Sequence, residues 1–158
     1  MGVVAEAELF KDWVPLVKLS EISFRVTHFR QFGHFSVWLP PPLDNRAVFV
    51  QVSGLKLADD EFFLTVTSVP QQQLFGHPIN RVKKTVYCDV FNSHFHVQVL
   101  DKTTGRLVVT SNINIDPKMK NIPNSLITFV MQKVVIYITN KIEKRARNLP
   151  AIYRQLIA

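Results

Sequence analysis

The chain has 158 residues, 47% of them apolar and 20% charged, so it is long enough to form one globular domain with a substantial core. Its single cysteine, Cys88, excludes an internal disulfide, and without a CxxC pair a zinc knuckle is not expected. The N-terminus lacks a signal-peptide pattern, and the most apolar window, residues 126–138, is too short and polar to span a bilayer. We therefore predict a cytoplasmic protein that contacts membranes only peripherally.

The formal net charge of +7 is concentrated at one end of the chain. Residues 1–116 hold eleven basic and eleven acidic side chains, whereas residues 117–158 hold eight basic ones and a single acidic one, Glu143. Such an excess complements a helix macrodipole, and it equally suits an anionic membrane surface, where each basic residue contributes about 1 kcal/mol. No aromatic residues interleave with these cations and no nucleic-acid motif is present, so nucleic acid is not an expected partner.

The spacing of apolar residues, and with it the predicted type of element, changes along the chain. Residues 5–19 favour a helix that stops at Pro15, residues 20–39 fit either a strand or a helix, and three prolines at 40–42 form an extended linker. From Arg46 the apolar period becomes two, which predicts five antiparallel strands. These strands cover residues 46–57, 59–69, 81–91, 94–101 and 106–116. The loop of residues 70–80 carries two large apolar residues, Leu74 and Phe75.

One long amphipathic helix is predicted from Pro123 to Arg147. Pro123 suits a first helical turn, and apolar residues then recur at steps of three and four. At 1.5 Å per residue the helix would be roughly 35–40 Å long, enough to lie across a small sheet. The fold class is therefore α+β, with a curved antiparallel sheet of about five to six strands packed on a long C-terminal helix.

The predicted lipid-facing side chains come from one strand and from this helix. In the strand after Arg46 the valines share one face, which we expect to look inward. An apolar cavity between sheet and helix and a solid core are both compatible with this pattern. The candidate lining residues are Val48, Val50, Val52, Ile127, Val130, Val134 and Ile138, and the candidate lid and membrane contacts are Leu74, Phe75, Lys141, Lys144, Arg145 and Arg147.

Reactive sites have little support in the sequence. His94 and His96 have the spacing of two metal ligands on one strand face, but no third ligand stands at a matching offset. The five glycines are scattered and no Ser–His–Asp set can be assembled. We predict no enzymatic activity, no cofactor and no metal.

Three phrases of the sequence resemble the START lipid-transfer domain of the helix-grip superfamily. They are residues 9–15 (LFKDWVP), residues 39–46 (LPPPLDNR), and Asn114–Pro117 followed by residues 122–127 (IPNSLI). The resemblance covers about residues 5–147. Ala47 departs from it, because the family usually has Asp at that position. START domains also begin with a helix and strands that have no counterpart here, so residues 1–158 are expected to form a single, N-terminally short START-like domain.

The resemblance implies a lipid-binding or lipid-transfer protein with one apolar lipid in the cavity and transient contact with membranes. Val52 stands where sterol-carrying relatives are expected to have a buried Arg, so a preference for sterol is not indicated, and a sterol, a fatty acid and a phospholipid all stay open as ligands. It also implies that residues 106–116 form an unpaired edge unless something covers them. Two alternatives to lipid transfer are a module that docks acidic partners through the basic helix and, less favoured, a cyclase-type enzyme. The sequence does not indicate an oligomeric state.

Overall fold

A computed structural model of the chain describes residues 8, 10–14, 16–27, 29–39, 41, 43–69, 73–74, 77–78, 81–82, 84–119 and 122–147. Two helices and eleven strands lie within these residues. In chain order they are α1 (Phe10–Trp13), β1 (Val17–Thr27), β2 (Arg30–Val37), β3 (Asn45–Ala58), β4 (Glu61–Ser68), β5 (Gln73–Leu74), β6 (His77–Pro78), β7 (Thr85–Tyr87), β8 (Asp89–Val90), β9 (Ser93–Asp101), β10 (Arg106–Asn112), β11 (Ile115–Asp116) and α2 (Asn124–Arg147).

Six strands form the main sheet in the order β1-β2-β3-β4-β9-β10, and every neighbouring pair along this path is antiparallel. The short strand β7 joins the same sheet by pairing in parallel with residues 45–47 of β3. Strand β10 ends the path and pairs only with β9 among the described residues. The predicted α+β architecture, with an antiparallel sheet and a long C-terminal helix, is thus confirmed.

Residues 20–39, which the sequence left ambiguous, contribute most of the hairpin β1–β2. The turn is closed by Thr27, whose hydroxyl oxygen accepts a hydrogen bond from the backbone N–H of Phe29 at 3.2 Å. Aromatic residues supply packing across the hairpin, with the rings of Phe24 and Phe32 6.5 Å apart. At the N-terminus the described helix is confined to Phe10–Trp13, because the chain is already extended from Val17.

The predicted strand over residues 81–91 is wrong as a single element. Residues 85–87 and 89–90 form two short strands, and the backbone takes a left-handed conformation at Lys84 (φ 54°) and Asn92 (φ 42°). Strand β4 pairs directly with β9, so the sheet has no place for a full strand between them. The side-chain periodicity of residues 81–91 does not show that β4 and β9 already occupy adjacent positions in the sheet.

Ser68 fixes the point where the chain leaves β4. Its hydroxyl donates a hydrogen bond to the carbonyl of Val90 at 3.2 Å and accepts one from the N–H of Val90 at 3.1 Å. The segment from residue 69 to residue 89 therefore starts and ends at one fixed point of the sheet.

Candidate functional site

The apolar face of β3 carries Val48, Val50 and Val52, as the alternation predicts. The register places Val50 opposite Gly33 of β2 and Val52 opposite Val66 of β4. Val50 is only 3% exposed, and Val48 and Val52 are half-buried. Over residues 46–50 this strand is buried on both sides, since Ala47 and Phe49 on the other face are buried too. Its first half belongs to the core, and its second half is the more accessible part of the apolar face.

The same face continues across β4, β9 and β10. Leu64 lies opposite Phe95, and Phe62 lies opposite Val97, which in turn pairs with Val109. Burial decreases toward the edge, because the β4 and β9 side chains are half-buried and those of β10 are exposed. Three adjacent strands thus present one continuous apolar surface, formed by Val50, Val52, Phe62, Leu64, Val66, Phe95, Val97 and Val99.

The reverse face of β4, β9 and β10 is largely polar, with Thr65, Thr67, His94, His96, Gln98 and Thr110 among its side chains. His96 Nε2 lies 2.6 Å from Oε1 of Glu61, whereas the ring of His94 stacks on Phe63 with centroids 5.3 Å apart. His96 is therefore in hydrogen-bond contact with Glu61, and His94 is in an aromatic contact with Phe63. No group of three potential metal ligands occurs among the described residues. The difference between the two faces makes the apolar face the candidate site.

Helix α2 buries one stripe of its surface. Val134, Ile138 and Ile142 are half-buried, which follows the predicted spacing of four residues. Ile136, on the opposite side, and Tyr137, beside the stripe, are exposed. Ile127 and Val130 lie in the helical backbone, but their side chains are outside the described part of the structure.

The candidate lid and membrane contacts are only partly described. Leu74 lies in the short β5–β6 hairpin, where it pairs with His77, and its side chain is outside the description, as is all of Phe75. Among the basic residues, Lys144 is exposed, and Nζ of Lys141 lies 5.4 Å from the centre of the Tyr137 ring.

The last basic residues of α2 differ in their surroundings. Arg147 forms an ion pair of 2.6 Å with Glu143 one turn earlier, a spacing that stabilises helices. The Arg145 side chain is outside the described residues.

Arg46 connects the start of β3 to the segment that leads into α2. Its Nε donates a hydrogen bond to the carbonyl of Pro117 at 2.8 Å, and Nη1 donates one to the carbonyl of Asp44 at 2.6 Å. Arg46 is 8% exposed, so its guanidinium charge is largely shielded from water and is stabilised there by backbone carbonyl oxygens. In the sequence Arg46 stands out only as part of the segment LPPPLDNR that resembles START domains, and no role was predicted for it.

A buried histidine lies on the reverse face of the first strands. His34 is 3% exposed, its Nε2 is 2.9 Å from the Tyr87 hydroxyl, and its Nδ1 is 3.6 Å from Oε1 of Glu21. Burial lowers the pKa of His34 below its usual value, although Glu21 acts in the opposite direction. The imidazole ring also packs edge-on against Phe49, so it belongs to a small core that was not predicted from the sequence.

The sequence contained a signal for the missed lining residues. Phe62, Leu64 and Val66 alternate with Phe63, Thr65 and Thr67, the same period that identified the valine face. The alternation did not show which of the two faces of β4 adjoins Val52. Only the register between β3 and β4 supplies that information.

No family model and no curated protein match this sequence. Solved structures match it in three dimensions. Human STARD10 superposes with a TM-score of 0.80 at 21% identity, covering 97% of this chain and 59% of that one. Human StAR-related lipid transfer protein 5 gives 0.71 at 13% identity, with 87% and 64% covered. A STAR-related lipid transfer protein from Xanthomonas axonopodis gives 0.68 at 18% identity, with 92% and 76% covered.

These structures define the class of fold. The chain has the helix-grip fold of START domains, as the sequence resemblance implied. It spans 59% and 64% of the two human structures. Within the described residues, neither helix has the length and apolar character needed to cross a membrane.

Proposed function

We propose that this protein binds one apolar lipid between its sheet and α2 and carries or presents that lipid at membranes. The observation that carries the proposal is the continuous apolar face over β3, β4 and β9 in a fold shared with lipid-transfer domains. Such a face binds alkyl groups through buried area, at about 0.8 kcal/mol per CH₂.

The ligand is recognised mainly by its hydrocarbon part. From Val52 through Leu64 to Phe95 the described side chains of this face are aliphatic or aromatic, and Lys56, which lies opposite Phe62 on the same face, is paired with Asp59. A fatty acid, a phospholipid or a sterol would each fit this chemistry, with the polar group near the open end. Binding rather than catalysis is proposed, because reactive side chains do not converge on the apolar face in the described part of the chain.

The C-terminal half of α2 provides the membrane contact. Its outer side combines the exposed Ile136 and Tyr137 with Lys144, a mixture typical of helices that lie in the membrane interface. The aromatic and aliphatic groups would enter the headgroup region, and the basic groups would pair with anionic lipids. The contact is transient and takes place in the cytoplasm.

Native mass spectrometry of protein purified from cells tests the lipid ligand. We expect a bound lipid on the wild type, and loss of it in Val66→Asp, which places a charge on the apolar face. Thr67→Asp is the matched control, because it adds the same charge to the other face of the same strand at an exposed position. A second variant, Val52→Trp, should displace the lipid while keeping the site apolar. If the wild type carries no lipid and takes up no fluorescent lipid, the proposal is wrong.

Liposome flotation tests the membrane contact separately. Replacing Lys141, Lys144, Arg145 and Arg147 by Gln should reduce binding to anionic vesicles by at least tenfold at low ionic strength. Replacing Lys56, near the end of β3, and Lys102, in the turn before β10, should have little effect. Equal loss in both sets would show general charge attraction instead of a contact through α2. Unchanged binding in the α2 variant would reject the contact.

A further inference from the structure

The half-buried stripe of helix α2 changes in character toward the C-terminus of the helix. Successive residues of an α-helix are rotated by about 100°, so residues three and four apart share one side. Val134 and Ile138 form the stripe over two turns, and both are half-buried. In the next turn the stripe contains Lys141 beside Ile142, and these two side chains are half-buried as well. The apolar row predicted to cover the lipid therefore ends beside a cation.

Lys141 differs in its surroundings from the basic residues that follow it on α2. Lys144 is exposed, and Arg147 is exposed and paired with Glu143 at 2.6 Å. Glu143 is the sole acidic residue between residues 124 and 147, so the helix has no second carboxylate to offer. Nζ of Lys141 lies 5.4 Å from the centre of the Tyr137 ring, which is a cation–π contact. Among the described residues, no carboxylate pairs with this half-buried ammonium.

Cations on the sheet side already have acidic partners. Lys56, on the apolar face opposite Phe62, has its Nζ 2.7 Å from Oδ1 of Asp59. Arg25 of β1 pairs with Glu8 at 3.2 Å. A negatively charged ligand would have to compete with these carboxylates for either cation. At the end of the α2 stripe it would instead meet an ammonium that no described carboxylate compensates.

We propose that the lipid carries an anionic headgroup, a carboxylate or a phosphate, and that the Lys141 ammonium binds it. The ammonium would donate hydrogen bonds to the headgroup oxygens, and such charge-assisted bonds are stronger than those between neutral groups. The hydrocarbon part would lie along Val134 and Ile138 of the same stripe. A sterol or another neutral lipid would leave the charge uncompensated and would bind more weakly. The inference rests on the proposed lipid binding and narrows its ligand.

Fluorescence titration of the 158-residue chain with two matched probes tests the charge preference. A pyrene-labelled fatty acid and its methyl ester have the same hydrocarbon chain, and only the acid is charged at neutral pH. We expect the wild type to bind the acid about tenfold more tightly than the ester, since a hydrogen bond to a charged group is lost with the ester.

Three variants assign the preference to one side chain. Lys141→Met keeps an aliphatic side chain and removes the charge, so the acid and the ester should bind equally while the Kd of the ester stays unchanged. Lys141→Arg should keep most of the preference. Lys133→Met is the matched control, because it removes the same charge at an exposed position of the same helix, and it should keep the wild-type ratio.

A second pair of lipids distinguishes the two kinds of headgroup. Phosphatidate and diacylglycerol with identical chains compete with the bound methyl ester, and they differ in the phosphate. A preference for the fatty acid alone would identify a carboxylate ligand, and a preference for phosphatidate alone a phosphate ligand, provided that Lys141→Met abolishes it.

The outcomes separate this inference from the lipid-binding proposal. If the charged member binds no better than the neutral one in both pairs, or if the preference survives in Lys141→Met, the inference is overturned and the proposed lipid binding stands. If none of the four lipids binds to the wild type, the proposed lipid binding fails, and the inference about its headgroup fails with it.

Discussion

Replacing Arg46 tests the connection between the sheet and the entry to α2. In Arg46→Met the hydrocarbon stem is largely kept, while the hydrogen bonds to the carbonyls of Pro117 (2.8 Å) and Asp44 (2.6 Å) are lost. Hydrogen bonds that involve a charged group contribute about 1.5–3 kcal/mol each. The hydrogen bond to Asp44 is local and Asp44 is exposed, so we count about half of its contribution. Removing the buried charge of Arg46 also offsets part of the summed contribution of the two hydrogen bonds. The free energy of unfolding should fall by about 2–4 kcal/mol.

Urea denaturation at 25 °C measures this loss, and a thermal scan should show a decrease in Tm of about 5–12 °C for a chain of this length. Arg46→Lys should lie between the wild type and Arg46→Met, since it keeps the charge but not the planar fork. Lys102→Met, at an exposed turn, should change stability by less than about 0.5 kcal/mol. Hydrogen exchange adds a local readout, because the amides of residues 113–119 should exchange faster in Arg46→Met. A loss below 1 kcal/mol with unchanged exchange there would refute the role of Arg46.

Two further predictions concern the buried side chains of β2. Phe32 is 1% exposed, so Phe32→Ala should cost about 3–5 kcal/mol in urea denaturation, whereas Phe29→Ala, 56% exposed, should cost less than about 1 kcal/mol; equal costs would contradict the assigned core. Because burial lowers the pKa of His34 in the folded state, the unfolded state takes up the proton more readily as the pH falls. Stability should thus decrease below about pH 6.5, and His34→Gln should reduce this decrease; an identical pH profile in the variant would disprove the assignment.

Much of the fold follows from local sequence. The strands β3, β4, β9 and β10 were predicted within a few residues, because each combines an apolar period of two with a turn at both ends. The turn before β10 is an example, since Gly105 has a φ of 69° that suits glycine. The long helix was predicted to begin at Pro123 and begins at Asn124. It could be predicted because its apolar spacing extends over six turns.

The misplaced elements depend on contacts between distant residues. Residues 85–87 read as a strand, and they are one, but they pair in parallel with the start of β3, which no local pattern encodes. Residues 17–37 are rich in both polar and aromatic residues, so their hairpin is determined by pairing with β3.

The candidate site was predicted only in part, for a similar reason. Val48, Val50 and Val52 were placed correctly on one face of β3, yet the neighbours that extend this face, Leu64 and Phe95, could be identified only from strand register. Arg46 escaped notice because its partner, the carbonyl of Pro117, is 71 residues away and is a backbone group. Every residue has a backbone carbonyl, so residue types do not reveal which carbonyl accepts a hydrogen bond.

The double hydrogen bond between Ser68 and Val90 has a consequence for how this chain can vary in length. The chain leaves the sheet at Ser68 and is held at Val90, shortly before β9 takes its place beside β4. Residues inserted between Ser68 and Thr85, ahead of β7, would not change the register of any strand in the main sheet. Loop-closure entropy grows slowly, so even a doubling of this segment would cost only about 0.6 kcal/mol. The segment that carries Leu74 can therefore be exchanged or extended with the apolar face kept intact.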